Sequence, residues 1–390
     1  MQAKIEAYNV LVKIEQVLAG ADLNDLSLGD GVSGISLFYY QFYKLTKEGR
    51  YLKYCQKLIQ QISQNLSTTE LNASMSSGYL GIAWMFDFYK RNRVIVINSK
   101  TFFSDIDKNI YIGSLRSLMK GNYGYWNGSP AGIVYAANRL PDRQSFGYLN
   151  QFLKTLKGFK VAEEFRMRWD TLALMPYDDN IRLNIIRLEL AYDLTALTNS
   201  LNRLRNIAHF DSTVSLLTEE YVSVLIGFME KLSVLLIDQV KAANLRLKLV
   251  YLNLLLPILQ TISKVRVSND DKKSRAEVYE LFFKPDWNFA VFETEALDTS
   301  LYLGSAGAAH KYKRLFLRDR NPVYLERANS LIELTIKGFL NGNGLSINKC
   351  FPGQSASVND FGFLSGICGT GLVLMDYLDS PSSGWDGCLC

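Results

Sequence analysis

Histidine and cysteine, which are common zinc ligands, are few in this sequence. Its 390 residues include two histidines, His209 and His310, and five cysteines. Four of the cysteines come late in the chain, at Cys350, Cys368, Cys388 and Cys390. A zinc site needs three or four His, Cys or carboxylate ligands on rigid supports, and neither histidine has a cysteine beside it. We therefore predict that His310 is a structural residue on a helix and that His209 lies at a turn between helices.

Carboxylates offer a different chemistry, because two of them can hydrolyse a glycosidic bond. Asp30, Asp298 and Asp360 each precede a glycine that opens an amphipathic segment. Aspartate is also common at helix N-termini, and sugar sites favour tryptophan, of which only Trp126 lies at a comparable position. A glycosidase therefore stays a remote alternative.

Composition excludes several other classes. The net charge is +5 with no dense basic patch, so nucleic acid binding is not indicated. The most apolar run, residues 249–259, is too short to span a bilayer and contains Asn253 and Pro257, which predicts a buried core helix. No signal peptide is evident at the N-terminus, and the odd cysteine count does not suggest a disulfide framework. We expect reduced thiols and a cytoplasmic location.

A repeat runs through the sequence. Five segments carry two small residues three apart, mostly glycines, followed by apolar residues at helical spacing. The segments are "GDGVSGISLFYYQFYKLT" (29–46), "SSGYLGIAWMFDFY" (76–89), "WNGSPAGIVYAANRL" (126–140), "LGSAGAAHKYKRLF" (303–316) and "LSGICGTGLVLMDYL" (364–378). A polar turn and a second amphipathic helix follow the first and fourth of them, so the repeating unit is a helical hairpin.

Seven such hairpins account for nearly the whole chain. Helical runs at 180–197 and 246–262 supply two units without glycines, which places the unit starts at positions 31, 78, 129, 186, 252, 304 and 366. Hairpins must stack on their neighbours, and seven can close into a ring. We predict an all-α protein, a single α/α toroid over 1–390 with inner and outer helices, rather than an open superhelix. Residues 141–180 are a possible small insertion, in which 159–174 could be strand or helix.

Glycines at the start of each inner helix would let backbones approach closely. The predicted structural glycines are Gly31, Gly34, Gly78, Gly81, Gly132, Gly304, Gly307, Gly366 and Gly369.

On these repeats the chain resembles the lanthionine synthetase C family, the lanthipeptide cyclases, which are α/α toroids of seven hairpins. The resemblance extends to the close of the chain, where "GFLSGICGTGLVLMDYL" and the following "WDGCLC" are similar to the family's last inner helix and tail. It implies a role in the maturation of a ribosomally made peptide, in which a cysteine thiol adds to a dehydrated Ser or Thr. A zinc ion activates the thiol in such cyclases.

The zinc ligands of the family fall on residues that cannot bind zinc here. The resemblance places them at Val250, Tyr302 and Leu303. It also places the family's proton-transfer histidine at Ile185, and the aspartate at Gly124 or Tyr125. We therefore expect no zinc and no other cofactor.

The expected function is binding without zinc catalysis. The ring would hold a precursor peptide, as leader or dehydrated core, or dock a lanthipeptide dehydratase. The alternative within the same family is a zinc-independent thioether cyclase that works by positioning the thiol. The residues predicted to contact the peptide at the mouth of the ring are Asp30, Tyr125, Trp126, Asn127 and Tyr302. Trp126 and Tyr302 could instead fill the vacated metal cavity.

Overall fold

A computed structural model describes residues 2–21, 24–97, 99–174, 180–242, 245–263, 297–340, 361–379 and 384–389. All regular structure within these ranges is helical, so the all-α prediction is confirmed. The α-helices are α1 (Gln2–Ala19), α2 (Val32–Thr46), α3 (Gly49–Asn65), α4 (Tyr79–Arg91), α5 (Ser99–Met119), α6 (Pro130–Asn138), α7 (Arg143–Phe159), α8 (Val161–Leu174), α9 (Asn180–Asn202), α10 (Asp211–Ala242), α11 (Leu245–Ser263), α12 (Ser305–Asp319), α13 (Pro322–Leu340) and α14 (Ile367–Leu378). A 3₁₀ helix, Trp385–Cys388, follows α14.

Two kinds of helix alternate along the chain. In α2 every residue from Val32 to Phe42 is buried, whereas α3 buries a single stripe that includes Tyr51, Cys55 and Ile62. We call the seven helices that begin the predicted units the core helices: α2, α4, α6, α9, α11, α12 and α14. A helix that is apolar all round must be covered on every side, whereas an amphipathic helix covers it from one side. Buried core helices followed by amphipathic helices agree with the predicted succession of helical hairpins.

The chain divides into two compact units. The first comprises Met1–Ile106, Leu245–Asn253 and Asn288–Leu389. Within it α12 packs against α14, α14 against α2, and α2 against α4. The N-terminal helix α1 packs against α14 and α13, so the last core helix takes its covering helix from the start of the chain.

The second unit comprises Asp107–Asn244 and Leu254–Trp287, with Cys390. Here α6 packs against α7 and α9, and α9 also contacts α8 and α10. Residues 161–174, for which the sequence left strand or helix open, form α8. The single toroid over 1–390 and the insertion at 141–180 stay predictions.

The helix starts agree with the predicted units where glycines mark them. Core helices α2, α4, α12 and α14 each begin one residue after the predicted start. Helices α9 and α11 begin at Asn180 and Leu245, so the predicted starts at 186 and 252 lie inside them. Without glycine there is no sharp turn at these two positions, and the helix continues through them. No helix in the described ranges, α11 included, is long and apolar enough to cross a membrane.

Candidate functional site

The loops that lead into four core helices share one turn. The turn begins at an Asp or Asn residue, whose side-chain oxygen accepts a hydrogen bond from the backbone N–H two residues later. The backbone carbonyl of the same residue accepts a second bond from the N–H seven residues later, at the start of the helix. In the first set of bonds the side-chain oxygens accept from backbone N–H groups: Asp25 from Ser27 (2.7 Å), Asn72 from Ser74 (2.8 Å), Asn122 from Gly124 (3.3 Å) and Asp298 from Ser300 (2.8 Å). The backbone bonds run from Val32, Tyr79, Ser129 and Ser305 at 2.8–3.1 Å. Asp298, considered above as a possible catalytic carboxylate, is buried and closes one of these turns.

The glycine that follows each turn is required for space. A Cβ on Gly31 would lie 2.2 Å from the Asp25 carbonyl oxygen, and a Cβ on Gly78 would lie 2.3 Å from that of Asn72. The φ angles of Gly31 and Gly78 are −121° and −130°, which any residue can adopt. The loop therefore folds back so tightly on the helix start that no side chain fits.

The third repeat needs a correction of one residue. Its turn is closed by Asn122, and a Cβ on Gly128 would lie 2.6 Å from the Asn122 carbonyl oxygen. Gly128, rather than the predicted Ser129, is therefore the equivalent of Gly31. In this register the resemblance places the family's aspartate position at Gly124 rather than at Tyr125. A Cβ on Gly132 would meet the side chains of Ser114 and Tyr148, at 2.4 and 2.6 Å, and not the backbone of the preceding loop.

Backbone hydrogen bonds join the four loops of the first unit in a row. Tyr302 N–H donates to the Leu364 carbonyl (3.0 Å), Leu364 N–H to that of Gly29 (3.1 Å), and Gly29 N–H to that of Ser76 (2.7 Å). The Ser365 hydroxyl donates to Asp30 Oδ1 at 3.0 Å. These bonds bring the loops of Asp30 and Tyr302 together. The backbone bonds between the loops use no side-chain atoms, so they do not depend on the side chain carried at Tyr302, Leu364 or Ser76.

The predicted peptide-contact residues differ in exposure. Asp30 and Asn127 are exposed and Tyr302 is half-buried. Tyr125 and Trp126 are only 2% and 8% exposed, and their rings pack edge to face at 5.3 Å. Tyr125, Trp126 and Asn127 lie in the second unit, whereas Asp30 and Tyr302 lie in the first. Peptide contact by these residues stays a prediction.

The residues at the zinc-ligand positions do not fit a metal. Val250 and Leu303 are 3% and 6% exposed and carry only carbon in their side chains. Val250 lies inside α11 instead of in a loop. In the part of the chain that the structure describes, no three His, Cys, Asp or Glu side chains gather to hold an ion. Cys55 and Cys368 are buried there as free thiols, and burial raises the pKa of Cys55 to about 12.

His310 contacts the C-terminal segment. It is 5% exposed, and its Nε2 lies 3.5 Å from Oδ2 of Asp386, which Arg314 also contacts at 3.0 Å. The His310 ring lies 5.1 Å from that of Trp385. These contacts give His310 a structural task, which is to hold the 3₁₀ helix against α12. His209 lies in the turn between α9 and α10, where its ring contacts Asn150 Oδ1 at 3.1 Å.

A carboxyl group from α9 faces the position where the family has its loop aspartate. Asp193 Oδ1 would lie 3.4 Å from a Cβ on Gly124. Burial and the negative charge of Glu189 raise the pKa of Asp193 to about 7, against the opposing charge of Arg168. Sequence reasoning missed Asp193 because nothing in the repeat marks it.

Sequence reasoning also missed a lysine and an asparagine near Gly304, the start of the sixth predicted unit. Lys311 Nζ donates to Asn253 Oδ1 at 2.7 Å, and Asn253 is buried. Both are polar residues within core helices, and Asn253 stands alone in the apolar run 249–259. A single asparagine in an apolar helix was the sequence signal that could have pointed to this contact.

Comparison with known proteins finds a family that part of this chain resembles. Residues 22–180 match the family model described as "Lanthionine synthetase C-like protein". The resemblance inferred from the repeats is confirmed over this part of the chain, which is similar to the lanthionine synthetase C-like family. The match covers the first three glycine repeats, so the correspondences at Val250, Tyr302 and Leu303 lie beyond it.

A solved structure is also similar to the whole chain. It is named "Nisin cyclase", is 15% identical, and superimposes with a TM-score of 0.41 over 98% of this chain and 97% of its own. No curated protein is significantly similar to the chain.

Proposed function

We propose that this protein binds the precursor peptide in the maturation of a lanthipeptide-type product, and that it does so without zinc. The observation that carries the proposal is that the loop backbones are held in place although the zinc-ligand positions of the family carry residues that do not bind zinc. The loops of Asp30 and Tyr302 are fixed by their backbone bonds, while Val250 and Leu303 are buried aliphatic residues. Such a frame can present peptide contacts although it offers no metal ligands.

The partners follow from that role. The peptide would arrive as leader or dehydrated core, and a lanthipeptide dehydratase would act before or alongside this protein. We propose that both meet it in the cytoplasm. Asp30 and Asn127 offer hydrogen-bonding groups for a peptide backbone, and Tyr302 offers an aromatic surface of the kind that often carries binding energy.

A zinc-independent thioether cyclase is the second candidate, and Asp193 is the observation that favours it. A carboxylate with a pKa near 7 can accept the proton of a peptide thiol. The sulfur would add to the β-carbon of the dehydrated residue, and the proton would return from Asp193 to the α-carbon. The step leaves the peptide mass unchanged but consumes a thiol, so alkylation of remaining thiols would detect it. Loss of this thiol consumption in Asp193→Asn, with peptide affinity retained, would establish catalysis.

Exposure separates the expected effects of two aromatic substitutions. Tyr302→Ala should weaken peptide affinity by roughly 1–2 kcal/mol, as interface anchors do, and leave the melting temperature nearly unchanged. Trp126→Ala should destabilise the fold by about 3 kcal/mol, because it empties a buried space. Calorimetric titration and thermal unfolding of each variant measure the two quantities.

The matched control is Tyr8→Ala, which removes an exposed tyrosine of α1. It should change neither quantity. If Tyr302→Ala binds the peptide as tightly as the wild type, Tyr302 is not part of a binding surface and the proposal loses its main aromatic contact.

A further inference from the structure

Lys311 lies on core helix α12, seven residues after Gly304. Side chains on an α-helix lean toward its N-terminus, so the amine extends back toward the Gly304 end. There Lys311 Nζ donates a hydrogen bond to Asn253 Oδ1, 2.7 Å away on α11. The amine is therefore held near the N-terminal end of α12, which follows Tyr302 and Leu303 in the chain.

The orientation of the Asn253 amide is fixed by its other bonds. Its Nδ2 donates to the Leu249 and Gly304 carbonyl oxygens, each at 2.9 Å. Both N–H groups of the amide are thus used, and only its oxygen can face Lys311. If the Asn253 amide were flipped, its N–H groups would face the Lys311 ammonium group, which is itself a donor. Asn253 therefore presents a lone pair to the ammonium group and supplies no charge.

The positive charge of Lys311 has no carboxylate partner within 4 Å in the described ranges. The neighbouring ionisable groups of α12 and α14, His310, Lys313 and Asp376, contact one another or Asp386 instead. Burial lowers the pKa of Lys311 to about 7. An ammonium group has three donors, and one is accounted for by Asn253. Lys311 is half-buried, and a charge partly removed from water without a counter-charge is costly, so an anion placed here would be bound favourably.

We propose that Lys311, oriented by Asn253, is an anion site that takes a carboxylate of the bound peptide. This inference rests on the proposed function for the identity of the ligand, though not for the existence of the site. A peptide offers such a group at its C-terminus or on Asp and Glu side chains. The bond would run from Lys311 Nζ to a carboxylate oxygen, with the Asn253 bond kept.

Acetate tests the site without any peptide. In protein labelled with ¹³C at lysine Cε, the Lys311 resonance should shift saturably as acetate is added, and acetamide, its neutral counterpart, should give no such shift. The resonance is assigned by its absence from Lys311→Met. Lys313, whose amine donates to the Asp376 carbonyl at 2.5 Å, is the internal control and should not respond. An equal response to acetate and acetamide, or no response at Lys311, would overturn the anion site.

Peptide titration tests the ligand. Lys311→Met should weaken binding of the precursor peptide at least about tenfold, because it removes a hydrogen bond between two charged groups. It should leave binding of a peptide with all carboxyl groups blocked unchanged, and Lys313→Met should affect both peptides equally. Equal losses for blocked and free peptide in Lys311→Met would refute the carboxylate assignment. If the wild type binds no peptide, the proposed function fails, while the acetate result still decides the anion site.

Discussion

Replacing Gly307 with alanine should destabilise the protein by about 3 kcal/mol or more. A Cβ at this position would lie 2.1 Å from the Leu301 carbonyl oxygen and 2.8 Å from Asn253 Oδ1. The first of these is backbone of the loop that enters α12, so it cannot rotate away as a flexible side chain would. Overpacking of this kind forces backbone shifts and costs typically 1–3 kcal/mol, occasionally more. Urea unfolding of the two proteins measures the difference.

The control is Gly147→Ala, the same change on the exposed face of α7. No atom lies within 4 Å of a Cβ at Gly147. Alanine favours a helix over glycine by up to about 1 kcal/mol, so this variant should be equal to the wild type or slightly more stable. If Gly307→Ala unfolded at the same urea concentration as Gly147→Ala, the close fit of loop and helix would be wrong.

Removing the Trp385 side chain should have the second large effect. Trp385 is 1% exposed, and its ring lies 5.1 Å from that of His310 and 6.0 Å from that of Phe363. Trp385→Ala should cost about 3–5 kcal/mol, the usual range for a buried aromatic residue. It also loosens the segment that places Asp386 beside His310. Thermal unfolding measures the loss, and limited proteolysis should cleave the C-terminal segment faster.

Trp385→Phe is the matched variant, because it keeps an aromatic ring in the same space. It should retain more than half of the stability that Trp385→Ala loses. A melting temperature for Trp385→Ala equal to that of the wild type would show that the C-terminal 3₁₀ helix does not support the fold.

The sequence predicted the helices well, because their signals are local. Glycine pairs and apolar spacing located α2, α4, α12 and α14 to within one residue at their starts. The third repeat was misplaced by one residue, because Ser129 and Gly132 are three residues apart, as the two glycines of the other repeats are. The residue that corresponds to Gly31 is Gly128. The better marker is the Asp or Asn six residues before the first glycine, as at Asp25 and Asp298, because it closes the turn.

The reason for the glycines was also partly different from the expected one. They were predicted to let neighbouring core helices approach. At Gly31, Gly78 and Gly304 the first glycine instead makes room for the loop that precedes it, as Gly31 does for the carbonyl of Asp25. A Cβ on the second glycine would meet its own loop and a neighbouring repeat at Gly34, where Leu28 and Phe363 lie close, whereas at Gly132 it would meet Ser114 and Tyr148. Local spacing shows where a side chain is excluded, but not which atoms exclude it.

The polar contacts of the site could not be predicted from spacing. Lys311 and Asn253 are 58 residues apart, and Asp193 and Gly124 are 69 apart. Each pair meets because two core helices, or a helix and a loop, lie side by side. Isolated polar residues in core helices pointed to such pairs, but only the packing of the helices shows which partner each one meets.

Titration of the precursor peptide into chelator-treated protein is the most direct test of the account. The candidate to titrate is a short Ser/Thr/Cys-rich peptide of the lanthipeptide-precursor type, prepared in unmodified and dehydrated forms. The heat of binding is measured after treatment with EDTA and again after zinc is restored. We predict binding of at least one form with the same affinity in both conditions, and no zinc retained after dialysis. Binding that appears only with zinc, together with one tightly held zinc per chain, would contradict a zinc-free peptide-binding protein.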